Sequence, residues 1–332
     1  MGFLVNRTSA SRGCTAIASN LIALAVSLAG APAVKAQDAS KYYTVLHPEQ
    51  FHTDWAGFYH EIDAKTAAVR AEFPHHLDLP YGPNIKQRLD LYLPRAKGAG
   101  AATFLFLHGG GFREGDRAQY GYIAKPFVEQ GILVAVASYR LTDGGFVYPD
   151  QVEDVKLAVR WIHQHIAHYG GNDMRIYVGG HSSGAILAAD VGVDRSWMPR
   201  VGLPVLALQG IAPVSALYDL RVSDPNALQK VFWNVYAPTT EIQERASPIL
   251  KVRDPAPAAV VGVGALEQHT SEDFLAGSMA LVEKLNAAGS KAQLISLPGM
   301  GHKEAALALG DGQSEISLAI IRMINGSRAI AP

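Results

Sequence analysis

Residues 174–191 read MRIYVGGHSSGAILAADV, and their order decides how the rest of the chain is read. Met174 to Gly179 is a short apolar run of the kind that forms a buried strand. Ala185 to Val191 has the small, apolar composition of a helix's first turns. Between them, Gly180-His181-Ser182-Ser183-Gly184 fits the pattern G-x-S-x-G. Strand, tight glycine turn and helix in this order describe a nucleophile elbow, which pushes a serine hydroxyl out of the turn and into the open. The glycines have a steric reason, because side chains at 180 and 184 would collide with neighbouring backbone. A chain with 32 glycines can also produce a plain Gly/Ser turn, so the context of the motif carries the reading.

That context is a repeated β-α alternation. Leu89 to Leu93 alternates apolar and polar residues as a half-exposed strand does. Thr103 to Leu107 and Ile132 to Ser138 are continuous apolar runs suited to buried parallel strands. Leu208 to Val214, Ala258 to Val263 and Ala292 to Leu297 add further strands. Helical spacing is predicted from about Trp55 to Glu72, ended by Pro74, and over Gln119 to Gln130, Gln151 to Tyr169 and Ser271 to Ala288, with a final helix within Glu304 to Ile324. Such a sequence predicts an α/β fold with a mostly parallel sheet and helices on both faces. Ser215 to Asp254 breaks the alternation with a long, irregular, aromatic stretch, expected as a small cap inserted into one catalytic domain.

Composition sets the outer limits. The 332 residues are 48% hydrophobic and 18% charged, as in a globular enzyme, and the net charge of -1 favours neither nucleic acid nor an anionic membrane surface. Residues 1–36 have the form of an export signal. Arg7 and Arg12 precede the apolar Leu21 to Leu28, and Val34-Lys35-Ala36 offers a small-residue cleavage site. An uncleaved anchor is the other reading of this stretch, but Ala, Ser, Asn and Pro dilute it. Cleavage would leave residues 37–332 as the catalytic domain, outside the cytoplasm and with no stable membrane insertion. It would remove three of the 29 basic residues and none of the 30 acids, leaving a net charge of -4. It would also remove Cys14, the only cysteine, and with it any disulfide or thiolate chemistry. Cys14 lacks the leucine three positions earlier that lipid attachment would want.

Two further motifs lie at predicted strand ends. His108-Gly109-Gly110-Gly111-Phe112 follows the strand at 103–107, and successive glycines there free backbone N–H groups to face an oxygen. Together with the N–H of Ser183 they would make an oxyanion hole. The run lacks the G-x-G-x-x-G or Lys-Ser/Thr continuation of a nucleotide loop. Pro298-Gly299-Met300-Gly301-His302 follows the last strand, placing His302 on a loop able to serve as general base and then general acid. The chain has 12 histidines, but His163, His165 and His168 lie on a helix without a completing carboxylate motif, and His75-His76 has no partner at ligand spacing, so no metal site is expected.

A carboxylate beyond the strand at 258–263 should orient the histidine. Glu267 sits on the loop directly after it. Asp273 and Glu272 are the alternatives, although both also suit the first turn of the next helix, where Thr270 would cap and the dipole favours acids. The chain order Ser182, acid, His302 is that of α/β-hydrolases.

The HGGGF motif, YRL at 139–141, YPDQVEDV at 148–155, YGGN at 169–172 and GHSSGA at 180–185 resemble the α/β-hydrolase esterases of the hormone-sensitive-lipase and kynurenine-formamidase group. HPEQFHTDWAGFY at 47–59 and DLPYG at 78–82 are similar to bacterial carboxylesterases or arylformamidases, so the likeness runs from about residue 47 to 325. The resemblance implies an eight-stranded, mostly parallel sheet, no cofactor, a triad of Ser182, an acid and His302, and oxyanion donors at Gly110, Gly111 and Ser183. One departure is the stretch Glu267 to Phe274, longer than the compact acid loop of the group. Hydrolysis of small carboxylic esters through an acyl-enzyme is the expected activity. Arylformamide hydrolysis shares that mechanism, and a catalytically silent hydrolase fold used for binding is the alternative from another class. Phe112, Phe232 and Trp233 are expected either to line an acyl or aryl pocket or to form the core of the cap.

Overall fold

The computed structural model describes residues 54–96, 100–221, 235–269 and 274–326. The export signal at 1–36, together with Phe232, Trp233, Thr270, Glu272 and Asp273, lies outside the described residues. Among the described residues, no helix is long and apolar enough to cross a membrane.

An eight-stranded sheet forms the centre. In chain order its strands are β1 (His75–Pro80), β2 (Arg88–Tyr92), β3 (Ala101–Leu107), β4 (Leu133–Ala137), β5 (Gly171–His181), β6 (Leu208–Val214), β7 (Ala258–Gly264) and β8 (Ala292–Leu297). Across the sheet they run β1-β2-β4-β3-β5-β6-β7-β8. The pairings β1–β2 and β2–β4 are antiparallel, and every pairing from β4 through β3 to β8 is parallel. This is the α/β-hydrolase arrangement that the motifs imply.

The central strands are apolar throughout because both of their faces are covered. Alternate residues point to opposite sides: Leu105, Leu107, Ala135 and Ala137 enter one buried cluster, Phe104, Phe106, Val134 and Val136 the other. The first cluster takes in α3 (Asp150–His165) and α4 (Ser183–Val193); the second takes in α1 (Trp55–Glu72), α2 (Ala124–Val128) and α8 (Glu315–Gly326). Between α4 and α8 the chain adds α5 (Thr240–Ala246), α6 (Phe274–Ala287) and α7 (His302–Ala308).

Several elements differ from their sequence reading. β1 is absent from the sequence reading, since HHLDLP is an edge strand with mostly exposed residues and only Leu77 and Leu79 to announce it. The helix expected over Gln119 to Gln130 contracts to a 3-10 turn at Tyr120–Ile123 followed by the short α2, which contains Pro126. The final helical stretch divides into α7 and α8 around Gly310-Asp311-Gly312.

Candidate active site

β5 ends and α4 begins at Ser182, which holds φ 56° and ψ -123°. A non-glycine residue with positive φ costs on the order of 1–3 kcal/mol and persists where the surroundings over-determine it. Here Ser182 N–H donates to the Val214 carbonyl at 3.0 Å, and Ala185 N–H donates to the Ser182 carbonyl at 2.9 Å. The flanking glycines are sterically required. A Cβ on Gly180 would lie 2.5 Å from the Gly184 backbone, and one on Gly184 would lie 2.2 Å from the Leu107 carbonyl oxygen.

The loop after β3 runs beside the elbow. Gly110 and Gly111 take φ 120° and 59°, values that leave little room for another residue type. Tyr139 ties loop and elbow together: its hydroxyl donates to the His108 carbonyl at 2.8 Å and lies 3.2 Å from Ser183 Oγ. His108 stacks on the Tyr139 ring, and burial lowers its pKa to about 4. In the neighbouring motifs, Arg140 pairs with the fully buried Asp154 at 2.7 Å, and Gln87 donates to the same carboxylate at 2.6 Å. YRL and YPDQVEDV are therefore structural clamps.

His302 opens α7, just past the Pro298 to Gly301 loop, and its Nδ1 lies 2.5 Å from Glu267 Oε1. Glu267 stands in a 3-10 turn directly after β7 and is 3% exposed. Its other oxygen, Oε2, accepts from Gly264 N–H at 2.7 Å and from Ser215 Oγ at 2.8 Å. Leu266 N–H donates to the Met300 carbonyl at 3.0 Å, joining the acid-bearing turn to the histidine loop. With Nδ1–H directed at a carboxylate, the His302 Nε2 is the nitrogen left to accept a proton.

A narrow cleft brings these parts to one place; it is lined by Ser182, His302, His181, Gly109 and Gly110, with Trp55, Phe58, Tyr59, Glu114 and Tyr120 completing the wall. Gly109 belongs to the glycine run read from the sequence, whereas nothing in the sequence marks His181, Glu114 or the α1 aromatics as site residues. His181 Nε2–H donates to the His302 carbonyl at 3.0 Å, and the two rings are 4.4 Å apart. Burial and the adjacent His302 hold the His181 pKa well below its usual value, so it stays neutral. A signal for the α1 residues was present in WAGFY, but nothing local says that the start of a helix beginning at Trp55 meets the elbow at Ser182.

Phe112 is not among the residues lining this cleft: its ring is fully buried and stacks on Tyr236 with centroids 3.7 Å apart. It serves the core, the other role weighed for it. His163 and His165 use their Nδ1 atoms on backbone carbonyls, of Asp173 at 3.0 Å and Trp161 at 2.8 Å.

Comparison with known proteins agrees with this architecture. Residues 89–198 match the BD-FAE family model. The chain is 27% identical over 277 residues to the kynurenine formamidase of Danio rerio, covering 80% of this chain and 87% of that one. It is 27% identical over 265 residues to the isoprenylcysteine alpha-carbonyl methylesterase of Arabidopsis thaliana, 74% of this chain; the match spans 61% of the plant protein, less than two thirds of its length. In three dimensions it is similar to the hyperthermophilic esterase of Pyrobaculum calidifontis, with a TM-score of 0.66 and 20% identity over 87% of this chain and 97% of that one. The protein has the α/β-hydrolase fold and is similar to the hormone-sensitive-lipase and kynurenine-formamidase group. These relatives are named for the cleavage of an ester or of a formamide.

Proposed function

We propose that this protein is a carboxylesterase-type serine hydrolase in which Ser182 is the nucleophile, His302 the general base and Glu267 the acid that orients it. The observation that carries the reading is the contact of Glu267 Oε1 with His302 Nδ1 at 2.5 Å, on the cleft that Ser182 also lines. Ser182 Oγ attacks the ester carbonyl as His302 Nε2 takes its proton, and the imidazolium then protonates the departing alcohol. Water, deprotonated by the same nitrogen, cleaves the acyl-enzyme and releases the acid. The buried Glu267 stabilises the transient imidazolium and holds the tautomer. Gly110, Gly111 and Ser183 are the oxyanion donors in this reading. Ser183 is the first residue of α4, whose N–H has no partner within the helix, and Gly110 lines the cleft. Each such donor is worth on the order of 3 kcal/mol of transition-state stabilisation.

A second reading, hydrolysis of arylformamides such as N-formylkynurenine, is favoured by the likeness to the zebrafish kynurenine formamidase. The signal-like residues 1–36 favour esters, because an exported enzyme meets exogenous substrates. Assays of wild type and Ser182→Ala on p-nitrophenyl acetate, a longer-chain ester and N-formylkynurenine, with fluorophosphonate labelling, test both readings. Wild type should turn over an ester faster than the formamide and label at Ser182, and Ser182→Ala should do neither. Equal behaviour of the two proteins would remove the serine-hydrolase reading and leave a hydrolase fold used for binding.

A further inference from the structure

The rest of the cleft wall has a chemistry that acyl transfer alone does not call for. The first turn of α1 supplies Trp55, Phe58 and Tyr59, and Tyr120 adds a fourth ring. Trp55 and Phe58 meet edge to face with centroids 5.6 Å apart, and Phe58 and Tyr59 do so at 5.4 Å. Among these aromatics stands Glu114, the single carboxylate among the described residues lining the cleft.

Glu114 is held in place. Its N–H donates to the Gly110 carbonyl at 3.1 Å, fastening it to the oxyanion turn, and its Oε1 accepts from the Tyr59 hydroxyl at 3.1 Å. The adjacent base, Arg113, is directed instead at Asp143, 3.5 Å away. Burial raises the Glu114 carboxyl above its usual range, the mark of an acid withdrawn from water without a full counter-charge.

An anion beside an oxyanion loop works against the proposed reaction, because it repels the negative charge that develops on the carbonyl oxygen. That penalty is relieved when a cation occupies the cleft. Aromatic faces and a half-buried carboxylate are together the surroundings that suit a cationic nitrogen: the rings attract it through their quadrupoles and the carboxylate accepts its N–H bonds. A neutral hydroxyl would hydrogen-bond but leave the buried charge uncompensated.

We propose that Glu114, with the rings of Trp55, Phe58, Tyr59 and Tyr120, is a recognition site for an ammonium group on the substrate, so that the preferred substrates are esters or amides of amino-bearing compounds. This deepens the serine-hydrolase reading and rests on it.

The test compares esters of matched shape. Methyl β-alaninate, methyl 3-hydroxypropanoate and methyl butanoate differ only in ending in ammonium, hydroxyl or methyl. On the alcohol side, 4-(aminomethyl)phenyl acetate and 4-ethylphenyl acetate form the corresponding pair. At pH 7 the wild-type kcat/KM should favour ammonium over methyl by at least about tenfold on one side of the ester, with the hydroxyl ester well below the ammonium. In Glu114→Gln that ratio should collapse to within about threefold. Each ratio is internal to one protein and does not depend on how much of it folds. Ammonium esters no better than neutral ones on both sides, or a ratio that survives in Glu114→Gln, would overturn the proposal while leaving the hydrolase reading intact. Absence of turnover on every ester, with no fluorophosphonate labelling, would instead remove the hydrolase reading and this inference with it.

Discussion

Ser215, Gly264 and His302 converge on the carboxylate of Glu267, and their bonds leave it little freedom. Glu267→Gln keeps the shape but replaces one oxygen with an amide nitrogen that cannot accept from His302. The expected outcome is a fall in kcat on the order of 10³-fold with little change in KM, measured by steady-state kinetics on p-nitrophenyl acetate. Glu267→Ala should lose more activity than Asp273→Ala; the reverse ranking would transfer the orienting role to Asp273. Gly184→Ala tests the elbow itself. Its Cβ would lie 2.2 Å from the Leu107 carbonyl, a backbone atom that cannot swing aside. Overpacking of this kind costs about 1–3 kcal/mol, so a lower thermal midpoint and reduced activity should appear together. At this scale Ser182 and His302 were legible because glycines mark their turns. Three acids within seven residues were equally plausible by pattern, since the direction of a loop carboxylate is set by partners such as Ser215 that lie 52 positions away.

Elements were read most easily where a buried face imposed a pattern. β3, β4 and β6 announce themselves as apolar runs because helices cover both faces of the sheet. β1 was missed because it is an edge strand that buries little. The segment between β6 and β7 had no pattern to read, yet its described part is tied to the elbow helix. Lys251 forms an ion pair with Asp190 of α4 and also donates to the Tyr148 hydroxyl at 3.1 Å. Burial raises the Asp190 carboxyl, and Lys251 is the chief influence pulling it back down. Lys251→Met should therefore destabilise the protein by about 3 kcal/mol, because a buried carboxylate loses its partner. Adding Asp190→Leu should recover most of that loss in urea denaturation. A double variant as unstable as the single one would show that packing, and not the stranded charge, was responsible.

For the molecule as a whole, the two apolar layers seal histidines inside. His108, with a folded pKa of about 4 against 6.5 for the exposed group, binds its proton in the unfolded chain at pH values where the folded protein does not. Stability should accordingly fall as pH drops from 6.5 towards 4, by up to about 3 kcal/mol from this residue. His181, also depressed, acts in the same direction. Glu114 and Asp190, raised by burial, act with the opposite sign, so the informative quantity is a difference. His108→Gln should flatten the dependence of the urea midpoint on pH between 7 and 4.5 relative to wild type, and parallel curves would contradict this assignment. The sequence by itself determined the α/β alternation, the elbow with Ser182, the glycine loop and the place of His302, because each depends on local sterics or on a face that must be buried. Only the tertiary structure decided that Glu267 meets His302, that Phe112 is core, and that Glu114 and the α1 aromatics line one cleft with Ser182. Those are encounters between residues distant in the chain, and they exist only once the sheet has brought its strand ends to one edge.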